Sequence, residues 1–249
     1  MKPILTYEIN LKSEYKSSLL NHLSKKFRII DSIISRFPYS IYSKLIDYDY
    51  SLNERIVEIP FLFKGISQLP IKSKILDVGC NYSLNSLRLS SLGYDVYGID
   101  LNDCWFKHSN FKFVKGDITN TEFEDNFFDC VIAISTLEHI GYTEYGGSRD
   151  IDDLLALKEI KRILKKDGFF IMTAPYGRGG EVKGFERIYN SERIEKLLYD
   201  FEIINEEFYF RKSDKEWIRV DKEFLKDKSL DKKGRILGCI GVLAKNKKD

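Results

Sequence analysis

Short apolar runs alternate with helical spacing through the C-terminal two-thirds of the chain. The first run, Lys74 to Val78, is nearly continuous and ends at Gly79, as expected of a strand buried on both faces. Six further runs have strand character and span residues 94–100, 111–114, 128–134, 169–174, 201–210 and 235–244. Apolar residues recur at three- and four-residue steps in residues 84–92, 151–164 and 191–199. This alternation predicts a mostly parallel sheet with helices on both faces.

The last two of these seven runs are separated by a charged segment and show no helical spacing between them. Strands joined without a crossover helix pair antiparallel. We therefore predict a seven-stranded α/β sheet that is mostly parallel and carries an antiparallel hairpin at one edge.

The first 70 residues have a different rhythm. Helical apolar spacing covers residues 14–37 and again 52–68, and Pro60 falls inside the second stretch. A proline inside a helix is expected to kink or divide it. We predict one domain over residues 1–249, in which a helical cap (1–70) covers the sheet-containing core (71–249).

Composition excludes several classes of protein. The formal net charge of +2 lacks the strong basic bias of a dedicated nucleic-acid binder. The four cysteines are scattered without metal-ligand spacing, which suits a reducing compartment. No apolar stretch approaches 18 residues, and the N-terminus lacks the pattern of a secretory leader. The expectation is a cytoplasmic protein without a membrane span.

Acidic residues follow the strands where ligands bind in open α/β sheets, at the carboxyl ends. Gly79 would let a ligand lie against the backbone, and Asp100 is spaced to accept hydrogen bonds from ribose hydroxyls. Asp117 suits an exocyclic amine of adenine, and Asp77 suits loop orientation or an ammonium group. The predicted cofactor residues at the strand ends are Asp77, Gly79, Cys80, Asn81, Asp100, Leu101, Asp117, Ile118 and Ser135.

Five segments in this order resemble the motifs of class I S-adenosylmethionine-dependent methyltransferases. They are residues 75–80, Asp100, residues 116–117, residues 128–131 and residues 159–168. The resemblance implies a Rossmann-like fold and S-adenosylmethionine as the cofactor. A looser resemblance of residues 53–61 to methyltransferases of sugar and polysaccharide synthesis implies that Arg55 reaches the carboxylate of the cofactor's methionine part. The alternative is that Arg55 pairs with an acidic residue of the cap.

The loop after the first strand departs from the family pattern. Asn81 and Ser83 stand where the family usually has glycine. Asn81 is expected to keep the turn through a left-handed backbone, and Ser83 to cap the following helix. A nicotinamide dehydrogenase would need glycines at 81 and 84, where this chain has Asn81 and Leu84.

His139 is the candidate general base, with Glu138 as second choice, and a structural role for His139 is equally open. Some RNA-end methyltransferases hold a metal with Glu and His after this strand. They would need a further carboxylate where this chain has Ser135, so no metal is predicted. Two loops rich in Gly, Tyr and Arg are expected to bind the acceptor and to act as mobile lids. The candidates in them are Tyr142, Tyr145, Arg149, Tyr176 and Arg178.

The predicted activity is methyl transfer to a small molecule, with a hydroxyl of a sugar or related metabolite as the acceptor. The alternative is a scaffold of the same fold that has lost turnover through its altered glycine loop. A nucleic-acid methyltransferase is a weaker alternative, because the charge is near neutral and the Asn/Asp-Pro-Pro-Tyr/Phe sequence is missing after the fourth strand.

Overall fold

The computed structural model describes residues 52–81, 83–142, 152–182, 185–232 and 234–247. Most of the predicted cap therefore lies outside the described residues. Five helices have the bounds α1 Arg55–Ile66, α2 Asn85–Ser91, α3 Asp152–Ile163, α4 Ser191–Leu197 and α5 Lys222–Leu225. A 3₁₀ turn spans Leu137–His139.

Eight of the ten described strands form one sheet in the order β3-β2-β1-β4-β5-β10-β8-β9. Their bounds are β1 Lys74–Val78, β2 Asp95–Asp100, β3 Phe111–Lys115, β4 Phe128–Ile134, β5 Leu164–Pro175, β8 Phe201–Ser213, β9 Glu216–Val220 and β10 Gly238–Asn246. Strands β1 to β5 pair in parallel, whereas β10, β8 and β9 pair antiparallel. The predicted Rossmann-like order and antiparallel edge are confirmed.

The count of seven strands is wrong by one. Strand β9 lies in the segment interpreted from sequence as a charged excursion, and α5 follows it. As the terminal strand of the sheet, β9 pairs on one side only, with β8. Charged side chains such as Glu216 and Arg219 are common on edge strands, where they oppose unwanted pairing.

Alternate residues of the central strands point into two separate cores. Leu76, Val131 and Met172 pack with helices α3 and α4 on one face. Ile75, Ile132 and Ile171 pack with α1 and α2 on the other. Helices therefore cover both faces of the sheet, as predicted.

Helix α1 is one continuous helix, so Pro60 does not divide it. Glycines bring it close to the sheet: a Cβ on Gly65 or on Gly241 would lie 2.7 Å from an atom of Ile171 or Phe61, respectively. Leu52, ahead of the helix, accepts hydrogen bonds from Arg211 and Trp217 of the β8–β9 hairpin. None of the helices in the described ranges is long and apolar enough to cross a membrane.

Candidate cofactor and acceptor site

The turn after β1 depends on Gly79. Its φ is +73°, and a Cβ there would lie 2.6 Å from Cγ2 of Thr136 in the loop after β4. The position therefore needs glycine both for its backbone conformation and for the approach of Thr136. Cys80, the next residue, is buried with its sulfur against Gly98 of β2.

The expectation of a left-handed backbone at Asn81 is wrong. Asn81 is not among the described non-glycine residues with positive φ. Its backbone N–H instead donates to Asp100 Oδ2 at 3.1 Å. The loop thus tolerates Asn81 without strain, because Gly79 alone takes the left-handed conformation in the part described.

Asp77 and Ser83 connect this loop to helix α2. The buried Asp77 carboxylate accepts hydrogen bonds from Ser86 Oγ at 2.7 Å and from Ser83 Oγ at 3.4 Å. Burial raises the pKa of Asp77 to about 6, against the opposing effect of these two hydrogen bonds. Ser83 Oγ also accepts from the backbone N–H of Asn85, the first helical residue, at 3.3 Å. Asp77 therefore orients the loop, one of its two predicted roles.

Asp100 ends β2 beside the same loop. Its Oδ1 accepts from the N–H of Asn102 at 2.8 Å. Leu101 is 47% exposed, and Trp105 is 66% exposed with its indole N–H donating to the carbonyl of Asn81 at 3.0 Å. Trp105 was not among the candidate residues chosen from the sequence. The feature that could have indicated it is a large aromatic side chain five residues after Asp100, the candidate for ribose binding.

Asp117 lies in the turn after β3, where its Oδ1 accepts from the N–H of Thr119 at 2.8 Å. This hydrogen bond shows the turn-forming role that is common for Asp. Ile118 beside it is buried in the core.

The sequence analysis missed Glu58, a fully buried carboxylate on α1. Its Oε1 accepts from Ser135 Oγ at 2.5 Å and from Thr173 Oγ1 at 2.8 Å. Its Oε2 accepts from Arg55 Nη1 at 2.6 Å. The signal was a charged residue placed three and four positions before the apolar residues Phe61 and Leu62, on the buried stripe of the predicted helix.

Glu58 therefore fixes two of the predicted cofactor residues. Ser135 follows β4 with a φ of +46°, and its N–H donates to the carbonyl of Thr173 at 3.1 Å. Arg55 pairs with Glu58, which is the alternative left open from the sequence, and Nη1 also lies 3.4 Å from the carbonyl of Ile134. The Arg55 side chain is 38% exposed, so part of it faces solvent beside β4.

Both catalytic candidates lie in the 3₁₀ turn. Glu138 is 1% exposed, and burial raises its pKa well above the usual range. Burial lowers the pKa of His139, which favours the neutral imidazole. Glu186, the first residue of strand β7 (Glu186–Ile188), stands beside them, and burial together with the charges of Glu54 and Glu58 raises its pKa to about 7.

One of the two predicted lids forms a β-hairpin, β6 Gly180–Val182 and β7 Glu186–Ile188. Its connection places the carbonyl of Phe185 3.0 Å from His139 Nδ1. Tyr142 donates to Glu181 of this hairpin at 3.1 Å, and the Arg187 guanidinium lies 4.9 Å from the Tyr142 ring centroid. Tyr142 therefore contacts this hairpin, and its role in acceptor binding stays a prediction.

The other residues predicted to bind the acceptor lie in different environments. Tyr176 is 1% exposed, packs against Phe208 and shares a hydrogen bond of 2.8 Å with Ser191. Its predicted role in acceptor binding is wrong, because the aromatic ring belongs to the core. Arg178 is exposed, and its N–H donates to the carbonyl of Lys228 at 2.7 Å. Tyr145 and Arg149 lie outside the described residues.

Comparison with known proteins agrees with this geometry. A family model described as a methyltransferase domain matches residues 76–172. A demethylmenaquinone methyltransferase from Staphylococcus haemolyticus is 29% identical over 176 residues, covering 66% of this chain and 62% of the relative. One from Staphylococcus saprophyticus is 34% identical over 111 residues, covering 40% and 43%. The chain therefore matches less than two-thirds of the length of these relatives.

A solved structure with the same fold is the 1,6-didemethyltoxoflavin-N1-methyltransferase of Burkholderia thailandensis, which contains its acceptor and S-adenosylhomocysteine. The TM-score is 0.55 at 15% identity, over 95% of this chain and 90% of that one. At this identity the likeness shows the fold. Residues 76–172 are therefore similar to a methyltransferase domain, and the sheet of the described residues has the Rossmann-like fold of methyltransferases.

Proposed function

We propose that this chain transfers a methyl group from S-adenosylmethionine to a small-molecule acceptor. The observation that carries the proposal is the joint placement of Gly79 and Asp100. Asn81, which follows the Gly79 turn, donates its N–H to the Asp100 carboxylate. A glycine turn and a carboxylate therefore lie side by side at the carboxyl ends of β1 and β2, where dinucleotide and nucleoside ligands bind in this fold.

The residues present fit the cofactor. A Cβ at Gly79 would meet Thr136 of the loop after β4, so glycine lets these two loops pack together beside Asp100. Asp100 would accept hydrogen bonds from the ribose hydroxyls, with Leu101 and Trp105 providing exposed apolar surface for the base. Asp117 is assigned to the adenine amine, and Arg55 and Ser135 to the methionine end.

When bound, S-adenosylmethionine supplies a methyl group on a positively charged sulfur. Transfer to an acceptor oxygen forms one C–O bond, breaks one C–S bond and releases the acceptor's proton. The protein's task is to hold the acceptor in line and to exclude water. Neutral His139 can receive the proton at Nε2, because Nδ1 faces the Phe185 carbonyl.

The acceptor is proposed at the level of a small molecule. The sugar hydroxyl predicted from sequence has no support from the relatives, whose names specify demethylmenaquinone and didemethyltoxoflavin. In addition, Tyr176 is buried, which removes one residue from the predicted sugar-binding set.

The proposal is tested by following a radiolabelled methyl group. The full chain is incubated with labelled S-adenosylmethionine and a panel that includes reduced demethylmenaquinone and a nucleotide sugar. Label in one acceptor and formation of S-adenosylhomocysteine, both strongly reduced in His139→Ala, would support the proposal. Cofactor binding without transfer to any acceptor would favour the scaffold alternative.

A further inference from the structure

Three metal-ligating side chains from two separate elements lie together at the acceptor side. Glu138 and His139 come from the 3₁₀ turn, and Glu186 comes from β7. One ligand atom of each residue lies within 4.8 Å of the other two. In a tetrahedral site with metal–ligand bonds of about 2.1 Å, the ligand atoms are about 3.4 Å apart. Around an ion, these three atoms would therefore move closer together by up to about 1.4 Å.

The imidazole of His139 has the orientation of a metal ligand. A carbonyl oxygen can only accept, so Nδ1, 3.0 Å from the Phe185 carbonyl, carries the hydrogen. The lone pair then belongs to Nε2, which lies 4.0 Å from Glu186 Oε2. Histidines that bind metals commonly donate the hydrogen of their second nitrogen to a backbone carbonyl in this way.

Glu138 provides an independent observation. Its side chain is 1% exposed, and its Oε2 has no hydrogen-bond partner among the described residues. Buried polar atoms are normally satisfied, so an orphaned carboxylate oxygen indicates a missing partner. A cation is the partner that a carboxylate oxygen can accept in place of a hydrogen-bond donor.

The arginines close to the group have other partners. Arg55 binds Glu58 at 2.6 Å. Arg187 donates to the carbonyl of Ile140 at 2.8 Å and lies 3.9 Å from Asp153. Both arginines place positive charge near His139, and the carboxylates of Glu54 and Glu58 place negative charge near Glu186.

We propose that Glu138, His139 and Glu186 bind a divalent transition-metal ion, with Mn²⁺ or Zn²⁺ best suited to two carboxylates and one imidazole. The sequence argued against a metal because position 135 is Ser. In the structure the additional carboxylate comes instead from Glu186, through the folding of the β6–β7 hairpin onto the 3₁₀ turn.

The use of the ion rests on the proposed function. Three protein ligands leave coordination positions open, as in catalytic metal sites. An acceptor oxygen bound there would lose its proton more easily, because the ion stabilises the oxyanion. His139 would then act as a ligand, and the released proton would pass to solvent rather than to the imidazole.

Metal binding is measured on the full chain, stripped with a chelator, by calorimetric titration with Mn²⁺ and separately with Zn²⁺, without S-adenosylmethionine. We expect one ion per chain and at least a tenfold loss of affinity in both Glu186→Gln and Glu138→Gln. Glu181→Gln, on the exposed part of the same hairpin, is the matched control and should bind like the unaltered chain. Thermal unfolding of each variant shows whether it is folded, and Glu186→Gln carries the test if Glu138→Gln is not.

Failure of both ions to bind at millimolar concentration would overturn the proposal, and so would unchanged affinity in a folded Glu186→Gln variant. A separate titration with S-adenosylhomocysteine in the metal-free chain reports on the cofactor site alone. If the unaltered chain binds S-adenosylhomocysteine but neither metal ion, the metal site is refuted and the proposed function still stands.

Discussion

Single residues in this site are constrained by different physical effects. Gly79 is constrained by its positive φ and by the contact with Thr136, whereas Asn81 at the next family glycine position lacks a positive φ. Glu58 is constrained by burial and by three hydrogen-bond donors from Arg55, Ser135 and Thr173. The resemblance to the family motif did not distinguish position 79 from position 81. A motif marks where glycines are usual, but it does not say which of them needs a left-handed backbone.

Gly79→Ala is expected to lower the free energy of unfolding by about 1–3 kcal/mol, because it combines a strained φ with a close Cβ contact. Asn81→Gly is the matched variant and should leave cofactor affinity within about twofold. Chemical denaturation measures the free energy of unfolding, and titration calorimetry measures the affinity for the cofactor. A marked gain of affinity in Asn81→Gly would mean that the altered glycine loop does impair the cofactor site.

Glu58→Ala should cost about 1–3 kcal/mol of unfolding free energy, because it leaves the hydroxyls of Ser135 and Thr173 without their acceptor. Glu58→Gln, which retains an acceptor oxygen, should cost less. Urea denaturation of both variants measures the two losses of unfolding free energy and shows which is larger. An equal cost would indicate that the charge of Glu58, rather than its acceptor atoms, holds the loop after β4.

At the scale of elements, helix α3 is fastened to the segment before β4 by one network. Arg162 donates to Glu159 at 2.7 Å and also pairs with Asp125. Glu159 Oε1 accepts in addition from Thr121 Oγ1 at 2.7 Å. The hydrogen bonds from Arg162 and Thr121 lower the pKa of Glu159 to about 2, despite the opposing effect of burial.

This network predicts a pH dependence of stability. Because the pKa of Glu159 is lower in the folded chain, its contribution is complete above about pH 4.5 and is lost as the pH falls towards 2. Glu159→Gln should therefore cost about 1–2 kcal/mol at pH 7 and much less near pH 2. Denaturation at both pH values checks this, with Glu122→Gln, an exposed glutamate nearby, as the control. An equal loss of unfolding free energy in Glu159→Gln at pH 7 and near pH 2 would refute the stabilising role of the Glu159 charge.

At the scale of the whole molecule, the parallel half of the sheet could be predicted from sequence because its central strands β1, β4 and β5 are buried on both faces along most of their length. Strand β9 could not, since a charged edge strand lacks the apolar run that marks a buried one. The residues of the candidate site also divide into those that the sequence predicted and those that it did not. Asp77 and Asp100 lie at the carboxyl ends of β1 and β2 and were predicted, whereas Glu58 and Glu186 reach the site through the packing of α1 and the β6–β7 hairpin.

The central claim is that the carboxyl ends of β1 and β2 bind S-adenosylmethionine. Titration calorimetry with S-adenosylhomocysteine tests it most directly, on the unaltered chain, on Asp100→Ala and on Asp95→Ala. Asp95 is the first residue of β2, whereas Asp100 is the last, and Asp95 pairs with Lys112. Asp95→Ala is therefore the control: it removes the same charge as Asp100→Ala, but at the opposite end of the strand. We predict binding that Asp100→Ala weakens by about 1–3 kcal/mol, or roughly 5- to 150-fold, and that Asp95→Ala leaves unchanged. No binding at millimolar ligand, or equal affinity in Asp100→Ala, would contradict the account.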